Sequence, residues 1–539
     1  MDERKINKPN LYYLIPKPNF IINESNKFIV SKDTTIIFSK GLNPLGNFLA
    51  NFLEKRYDLD LELYDSKCIN ENKHCIFLQL RELGDKSPDA YHLTINEDKI
   101  DLIATTKSGI FYGIQTLIQL IHQNNLEFNK TKASFLKLNR VEIRDSPRFQ
   151  WRGFMLDEGR HFFGKEIVKN FLDIMALLKL NIFHWHLTDD QGWRIEIKKY
   201  PRLTEIGSKR KGTNVSMRRF YINSSADNKE NDGIPVMGFY TQEEIKEIIE
   251  YATERHITVI PEIDLPGHTM ALLASYPELS CTGGPFEVGT QFGIYRDVLC
   301  IGKELVFEYV ENILSEIIKL FPSEYIHIGG DEAPRTRWKK CPDCQVRLVK
   351  EKIESVDGLQ VYFTNRISEF LKAHGKKVVS WNETIDKNLN KEVYCQYWNG
   401  SDEEILNELK EGRKIIISKI NFNYFNYPYK LNSLKNTYQF EPIPEELPEQ
   451  FHENFIGVEA CAWTELIKTQ EKLEWQLFPR LFATAEIGWT QKINKDYQDF
   501  EKRLEILLKD FEKKGINYAS KEEYDGTSTA RSKMYLEGT

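Results

Sequence analysis

From Gln150 to about Thr490 the chain alternates short apolar runs with longer stretches of helical periodicity, and this rhythm limits its possible folds more than any other feature. The predicted strands are Gly153–Leu156, Ile182–His186, Ile257–Ile263, Tyr325–Ile328, Lys377–Ser380, Glu392–Gln396, Lys414–Ile417 and Phe455–Ala460. Helical patterns separate most of them, over Lys165–Leu180, Thr241–Arg255, Glu304–Phe321, Leu359–His374, Asp402–Glu411 and Leu473–Thr490. Strand and helix in strict alternation belong in a parallel sheet covered by helices. Eight such units predict an α/β fold of (β/α)8 TIM-barrel type over roughly 350 residues, with long loops as the surplus. An open doubly wound sheet is the alternative, weakened by the lack of a glycine-rich phosphate loop after the first strand.

Near residue 147 the texture changes, and Pro147 marks the junction. Before it, runs at Lys27–Val30, Thr34–Phe38, Cys75–Leu80, Tyr91–Asn96 and Ile100–Ala104 read as strands, with amphipathic helices near Leu45–Arg56 and Gly109–His122. The predicted organisation is therefore a smaller α+β accessory domain at 1–146, without a cluster of reactive residues, and a catalytic barrel at 147–515. Glu501–Gly515 forms the last amphipathic helix, and 516–539 a polar tail.

Composition narrows the partners. With 73 basic and 80 acidic residues the net charge is −7, so the basic excess needed to hold a phosphate backbone is missing and nucleic acid is not expected. No run approaches ~20 consecutive apolar residues, so no membrane span is expected. As written, the mixed-charge start and the short run Leu11–Ile15 do not read as a secretory leader, which leaves the cellular address open. The 25 Tyr, 32 Phe and 9 Trp suit either stacking on sugar rings or large aromatic cores. A monomer or homodimer is the expected state. Of eight cysteines, Cys281 and Cys300 could close a loop of about 20 residues, and Cys341-Pro-Asp-Cys344 has CxxC spacing. That spacing leaves disulfide, plain loop thiols, redox pair and metal half-site open. Zinc requires a second ligand pair, and none stands at knuckle spacing.

A barrel carries its chemistry at the C-terminal ends of its strands. There stand Asp157, Glu158, Arg160 and His161, then His184-Trp-His186 running into Asp189-Asp190, then Glu262-Ile-Asp264 with His268. Gly329-Gly-Asp331-Glu332 follows the fourth strand and Trp463-Thr-Glu465 the eighth. Two chemistries compete for this cluster. His184 and His186 share one face of a strand, and with His268 and Asp331 they resemble a mononuclear metal-hydrolase site. Alternatively, Asp331 and Glu332 are an acid pair aided by Asp189 and His268. Adjacent carboxylates repel each other's charge, so one stays protonated near neutral pH and can donate to a leaving oxygen. Trp381, Trp398 and Trp463 follow late strands and could wall a sugar-sized pocket.

Several of these segments together resemble glycoside hydrolase family twenty, the β-N-acetylhexosaminidases. They are Arg152-Gly-Phe-Met-Leu-Asp157-Glu-Gly-Arg160-His161, His184-Trp-His186-Leu-Thr-Asp189-Asp-Gln-Gly-Trp193, Pro261-Glu-Ile-Asp-Leu-Pro-Gly-His268 and His327-Ile-Gly-Gly-Asp331-Glu332-Ala333. The likeness continues in order through Trp381, Trp398, Tyr424-Phe-Asn426 and Trp463-Thr-Glu465, while residues before about 146 resemble the family's accessory domain.

The resemblance implies exo-hydrolysis of terminal β-linked N-acetylglucosamine or N-acetylgalactosamine from a glycan or glycoconjugate, with retention and no cofactor or metal. It implies that the substrate's own acetamido oxygen attacks the anomeric carbon, giving an oxazolinium-like intermediate. Glu332 would be general acid and then base, Asp331 would hold the acetamido N–H, and Tyr424 would donate to the acetamido carbonyl. Trp381, Trp398 and Trp463 would enclose the acetyl group and ring, Arg152 and Glu465 would grip the outer hydroxyls, and Asp189 and His268 would tune Glu332. Asn426 stands where many members carry Asp, which bears on hydroxyl preference. A sugar-binding protein without catalysis is the other class, and it would be expected to lack Asp331, Glu332 or Tyr424.

Overall fold

The computed structural model describes residues 12–68, 74–125, 135–214, 221–222 and 231–527. The mixed-charge start, with Leu11 of the short apolar run after it, and the tail from Ser528 onward lie outside the described residues. Two compact units form. One comprises the chain up to Arg152 with Asp173–Leu180 and Leu481–Ile516; the other comprises Gly153–Leu172, Asn181–Arg480 and the residues from Asn517.

The first unit is built on a seven-stranded mixed sheet. Its order is Phe20–Ser31, Phe135–Asp145, Tyr91–Ile95, Lys99–Ala104, Cys75–Leu80, Thr35–Phe38 and Leu63–Asp65. The first four pair antiparallel and the remainder parallel. Against it lies helix Lys107–Asn124, apolar nearly all round and buried from Gly109 to Ile121, with Thr106 capping its first turn. Two strands were not anticipated: Leu63–Asp65, too short to show a pattern, and Phe135–Asp145, whose apolar alternation is broken by charged residues.

The segment Leu481–Ile516, expected with the barrel, gathers with this unit instead. Its helix Tyr497–Lys514 is tied there by polar contacts that sequence periodicity does not reveal. The Arg503 guanidinium donates to Leu14 O at 2.7 Å and pairs with Glu486 at 2.6 Å, and Asp510 meets Arg56 at 3.2 Å. Trp489 Nε1 donates to Asp145 at 2.9 Å.

The second unit is organised by a closed barrel. Its strands are β1 (Trp151–Asp157), β2 (Ile182–His186), β3 (Thr258–Glu262), β4 (Tyr325–His327), β5 (Lys377–Trp381), β6 (Tyr394–Tyr397), β7 (Ile415–Ile417) and β8 (Phe455–Ala462). They close in chain order, β8 beside β1. Helices Lys165–Leu177, Gln242–Thr253, Glu304–Leu320, Gly358–Ala373 and Asp402–Lys410 follow the predicted spans closely. The predicted helix Leu473–Thr490 is instead two, Gln470–Leu477 and Arg480–Trp489. Pro479 separates them, because proline has no N–H to donate and its ring clashes with the preceding turn. No helix among the described residues is long and apolar enough to cross a membrane.

Candidate active site

Each barrel strand delivers its polar residues at its C-terminal end, and the most specialised backbone lies after β4. Gly329 and Gly330 have φ of +64° and +106°, which L side chains rarely adopt. A Cβ at Gly329 would lie 1.8 Å from Asp264 Oδ1, so only glycine lets the chain pass there. This turn presents Asp331 and then Glu332, itself left-handed at φ +45°. Such strain in a non-glycine residue costs about 1 kcal/mol or more and concentrates at functional sites.

Beneath the pair runs a buried network of carboxylates and imidazoles. Glu262, at the end of β3, meets His186 Nδ1 at 2.5 Å, His184 Nε2 at 3.0 Å and His327 Nδ1 at 3.1 Å, and accepts from Trp381 Nε1 at 2.8 Å. His184 Nδ1 contacts Glu459 at 2.7 Å and His186 Nε2 contacts Asp189 at 2.9 Å. Two negative partners win over burial and hold His184 up at about 9. Both nitrogens of His186, and Nδ1 of His184, are thus held by carboxylates, whereas His184 Nε2, 3.0 Å from Glu262, has no hydrogen-bond partner among the described residues. For the metal-hydrolase reading, His184 groups with Glu262 and His327, and His186 with Glu262 and Asp264, rather than the two with His268 and Asp331 in one set.

His268 connects the network to the acid pair. Its Nδ1 lies 3.1 Å from Asp190 and 3.4 Å from Asp189, and its Nε2 lies 3.6 Å from Glu332 Oε2 and 3.9 Å from Asp331 Oδ2. Asp190 is therefore its nearest carboxylate, not Asp189. Asp189 spends its strongest contacts on His186 and on Arg160 Nη2 at 2.8 Å. Burial disfavours a charged His268, but the Asp189 carboxylate outweighs it and keeps the imidazolium stable well above the usual range.

The two acids differ in electrostatics. Burial pushes Asp331 up to about 7, against the pull of His268 and with Glu383 and Glu332 adding repulsion. For Glu332 burial also opposes charge, yet the hydrogen bond and charge of His268, helped by Arg160, hold it below the ordinary carboxylate value. Of the two, Asp331 therefore keeps a proton to higher pH. Glu383, pushed up by burial, accepts the Glu332 amide at 2.8 Å and fixes the turn.

Aromatic walls surround this floor. Met155, Trp381, Tyr424, Cys461 and Trp463 pack as one cluster, with Trp398 and Tyr427 against it. Trp381 and Trp463 lie 5.7 Å apart between ring centres, and Trp398 stacks on Tyr424 at 6.0 Å and 15°. Asp331 Oδ1, Trp398 Nε1 and Asn426 Oδ1 have no hydrogen-bond partner among the described residues. Buried polar groups rarely stay unpaired, so three such atoms beside an aromatic wall mark a place for a polar ligand.

Of the residues singled out in the sequence, Asp331, Glu332, Asp189, His268, Trp381, Trp398, Tyr424, Asn426, Trp463 and Glu465 all belong to this unit. Arg152 does not join them. It is fully buried at the start of β1, where its guanidinium donates to Asp89 at 2.9 Å, to Lys179 O and Phe149 O at 2.8 Å, and lies 5.0 Å from the Trp489 ring. Arg160, past the C-terminal end of the same strand, is the arginine of the mouth. It lies 3.4 Å from Asp157, 5.0 Å from the Trp463 ring and within the field of Glu465. Glu383, Glu459 and Gln191, whose Oε1 accepts from Arg160 Nε at 3.2 Å, were not anticipated, since nothing in their spacing sets them apart. Among the other strand-end residues, Glu158 accepts from Trp185 Nε1 and Tyr240 Oη, and burial with nearby Arg210 keeps His161 neutral at about 3.

Comparison with known proteins agrees with this geometry. Residues 149–492 match glycosyl hydrolase family 20, catalytic domain, and residues 11–146 match glycosyl hydrolase family 20, domain 2. The chain is 36% identical over 517 residues to a β-hexosaminidase of Porphyromonas gingivalis, covering 94% of this chain and 64% of that protein's length. It is 32% identical over 497 residues to a β-hexosaminidase of Vibrio furnissii, covering 89% and 77%. The crystal structure of a GH20 exo β-N-acetylglucosaminidase from Vibrio harveyi with N-acetylglucosamine superposes with a TM-score of 0.82 at 30% identity, over 95% of this chain and 79% of that one. The chain belongs to glycosyl hydrolase family 20, with that family's catalytic domain in its barrel and its domain 2 preceding it.

Proposed function

We propose that this protein is an exo-acting β-N-acetylhexosaminidase that removes terminal β-linked N-acetylhexosamine with retention, using the substrate's acetamido group as nucleophile. The observation that carries the reading is how the carboxylates are shared out. Glu262, Asp189 and Asp190 are engaged by imidazoles or Arg160, whereas Asp331 has an Oδ1 without a hydrogen-bond partner among the described residues and Glu332 is partly exposed. Retention through a protein nucleophile needs a second free carboxylate ~5 Å from the acid. An acetamide tethered in the substrate replaces it, with a proximity advantage that can reach ~7 kcal/mol.

In this reading a sugar on the Trp-lined floor expels water from around Glu332, which raises its proton affinity. Its acetamido N–H donates to Asp331 and stabilises that carboxylate in its ionised form. The proton then moves from Asp331 to Glu332, which donates it to the leaving oxygen. Tyr424 donates to the acetamido carbonyl as the ring closes, Asp331 balances the developing positive charge, and Glu332 finally activates water to open the oxazolinium. Arg160 and Glu465 take the outer hydroxyls.

Nitrophenyl β-N-acetylglucosaminide, β-N-acetylgalactosaminide and plain β-glucoside test this, together with a thiazoline mimic of the cyclised intermediate. The acetamido sugars turn over, the glucoside does not, and the thiazoline binds ~10²-fold or more tighter than the product sugar. A sugar ester trapped on any Asp or Glu, or efficient glucoside cleavage, would sink the mechanism.

A further inference from the structure

Two pairs of cysteines that lie apart in sequence meet in the second unit. Cys281, Cys300, Cys341 and Cys344 bring their sulfurs within 4.8 Å of one another, and all four are free thiols. Cys300 Sγ lies 3.5 Å from Cys341 Sγ and 3.6 Å from Cys344 Sγ, and Cys281 Sγ lies 3.9 Å from Cys344 Sγ. A disulfide would bring a pair to about 2.05 Å. Zinc bound to four thiolates at about 2.3 Å puts tetrahedral neighbours ~3.8 Å apart. From this match we propose that the cluster is a tetrathiolate zinc site. The CxxC spacing supplies one ligand pair. The second comes from Cys281 and Cys300, which only the fold brings together.

The surroundings are those of a thiolate centre. Cys341 is the N-cap, and Cys344 stands in the first turn, of the nine-residue helix Pro342–Lys350. The positive end of the helix dipole stabilises thiolate there. The Gly302 amide hydrogen-bonds the sulfurs of Cys300 and Cys344. A Cβ at Gly302 would lie 2.2 Å from Asp343 C and 2.3 Å from Cys344 N, so glycine is required for this close approach. Four thiolates fill a tetrahedral zinc and leave no open position for a catalytic water, and three of the four thiols are buried. Binding is Zn²⁺ plus four thiols giving a zinc tetrathiolate and four protons, a centre of net charge −2. Lys303 Nζ on Ser280 O at 2.8 Å and Arg347 on Gly302 O at 3.3 Å place cations on the same loops.

The connectivity gives the site its purpose. Cys281 and Cys300 lie on the segment after β3 that also carries His268. Cys341 and Cys344 lie on the segment after β4 that carries Asp331 and Glu332. Even without metal these segments are laced by Arg337 on Asp297 at 2.8 Å and by Trp338 Nε1 on Leu299 O at 2.8 Å. Zinc fastens the two loops behind the contact between His268 and Glu332. It is a structural centre that keeps two halves of the mouth in register, and it takes no part in the chemistry.

The test uses the full chain, purified under reducing conditions without chelator. Elemental analysis is expected to give one zinc per chain. Replacement by cobalt(II) in the unaltered protein is expected to give the intense sulfur-to-metal bands of a tetrahedral tetrathiolate. Cys281→Ser and Cys344→Ser are each expected to retain less than a tenth of the zinc. The cobalt spectrum requires no variant, so it decides the matter even if a substituted chain fails to fold. A chain without zinc, an unreduced mass lower by four hydrogens from two disulfides, iron in place of zinc, or full zinc in both variants would overturn the proposal. None of these outcomes bears on glycoside turnover, so this test and the test of function fail independently.

Discussion

Replacing Asp331 by Asn is expected to make the protein more stable and less active at once, and the gain should depend on pH. Burial pushes Asp331 from 3.8 to about 7, which at ~1.4 kcal/mol per decade disfavours its ionised form in the empty site by up to roughly 4 kcal/mol. A carboxyl whose folded value lies above its unfolded one contributes stability that is complete below about 3.8 and is lost as pH rises through about 7. Asn carries no charge at any pH, so it escapes that loss. Urea unfolding of both proteins at pH 4, 6 and 8 is the assay. The Asn variant should match the wild type near pH 4 and exceed it by up to roughly 4 kcal/mol at pH 8, while acetamido substrates turn over far more slowly. An equal difference at all three pH values, or a variant less stable at pH 8, would refute the claim that Asp331 is held ionised at a cost.

Glu332→Gln should lower turnover of substrates with poor leaving groups by ~10²–10⁴-fold and spare nitrophenyl substrates most of that loss; equal losses in kcat on both would argue against Glu332 as the acid. Arg160→Gln should raise KM for N-acetylhexosaminides, whereas Arg152→Gln should leave KM alone and lower stability by roughly 3 kcal/mol, since it strands buried partners; the reverse pattern in kinetics and thermal unfolding would return Arg152 to the site. Dialysis against EDTA should leave activity intact wherever zinc content is unchanged, and lost turnover at constant zinc would mean a metal acts at the mouth after all.

Much of this architecture was legible in the sequence because the eight barrel strands are short, apolar and separated by helices with one clear face. Ile182–His186 has the bounds read from its pattern, and the others differ by only a few residues at their ends. What periodicity could not supply was long-range grouping. Leu481–Ile516 joins the first unit through Arg503, Asp510 and Trp489, single polar contacts that leave no trace in a hydrophobic pattern. The arginine of the mouth was misread for a different reason. Arg152 and Arg160 flank one strand, and only the rule that barrel chemistry sits at C-terminal ends favours the second. Asp189 and Asp190 are neighbours in sequence, and their division between His186 and His268 depends on side-chain direction. The cysteine cluster was hidden because its two pairs, Cys281 with Cys300 and Cys341 with Cys344, stand on different loops that only the fold brings together.

The left-handed glycine turn after β4 has a bearing on how tolerant this enzyme is of change. In the proposed reading, the distance from the group that cradles the acetamide to the group that protonates the leaving oxygen is set by one peptide unit, because Asp331 and Glu332 are successive residues. Most active sites measure such distances across separately moving loops, and small shifts in packing erode them. Here the ruler is covalent. On that reading a single residue inserted between Asp331 and Glu332 is expected to be more damaging than a long insertion in the loops around them.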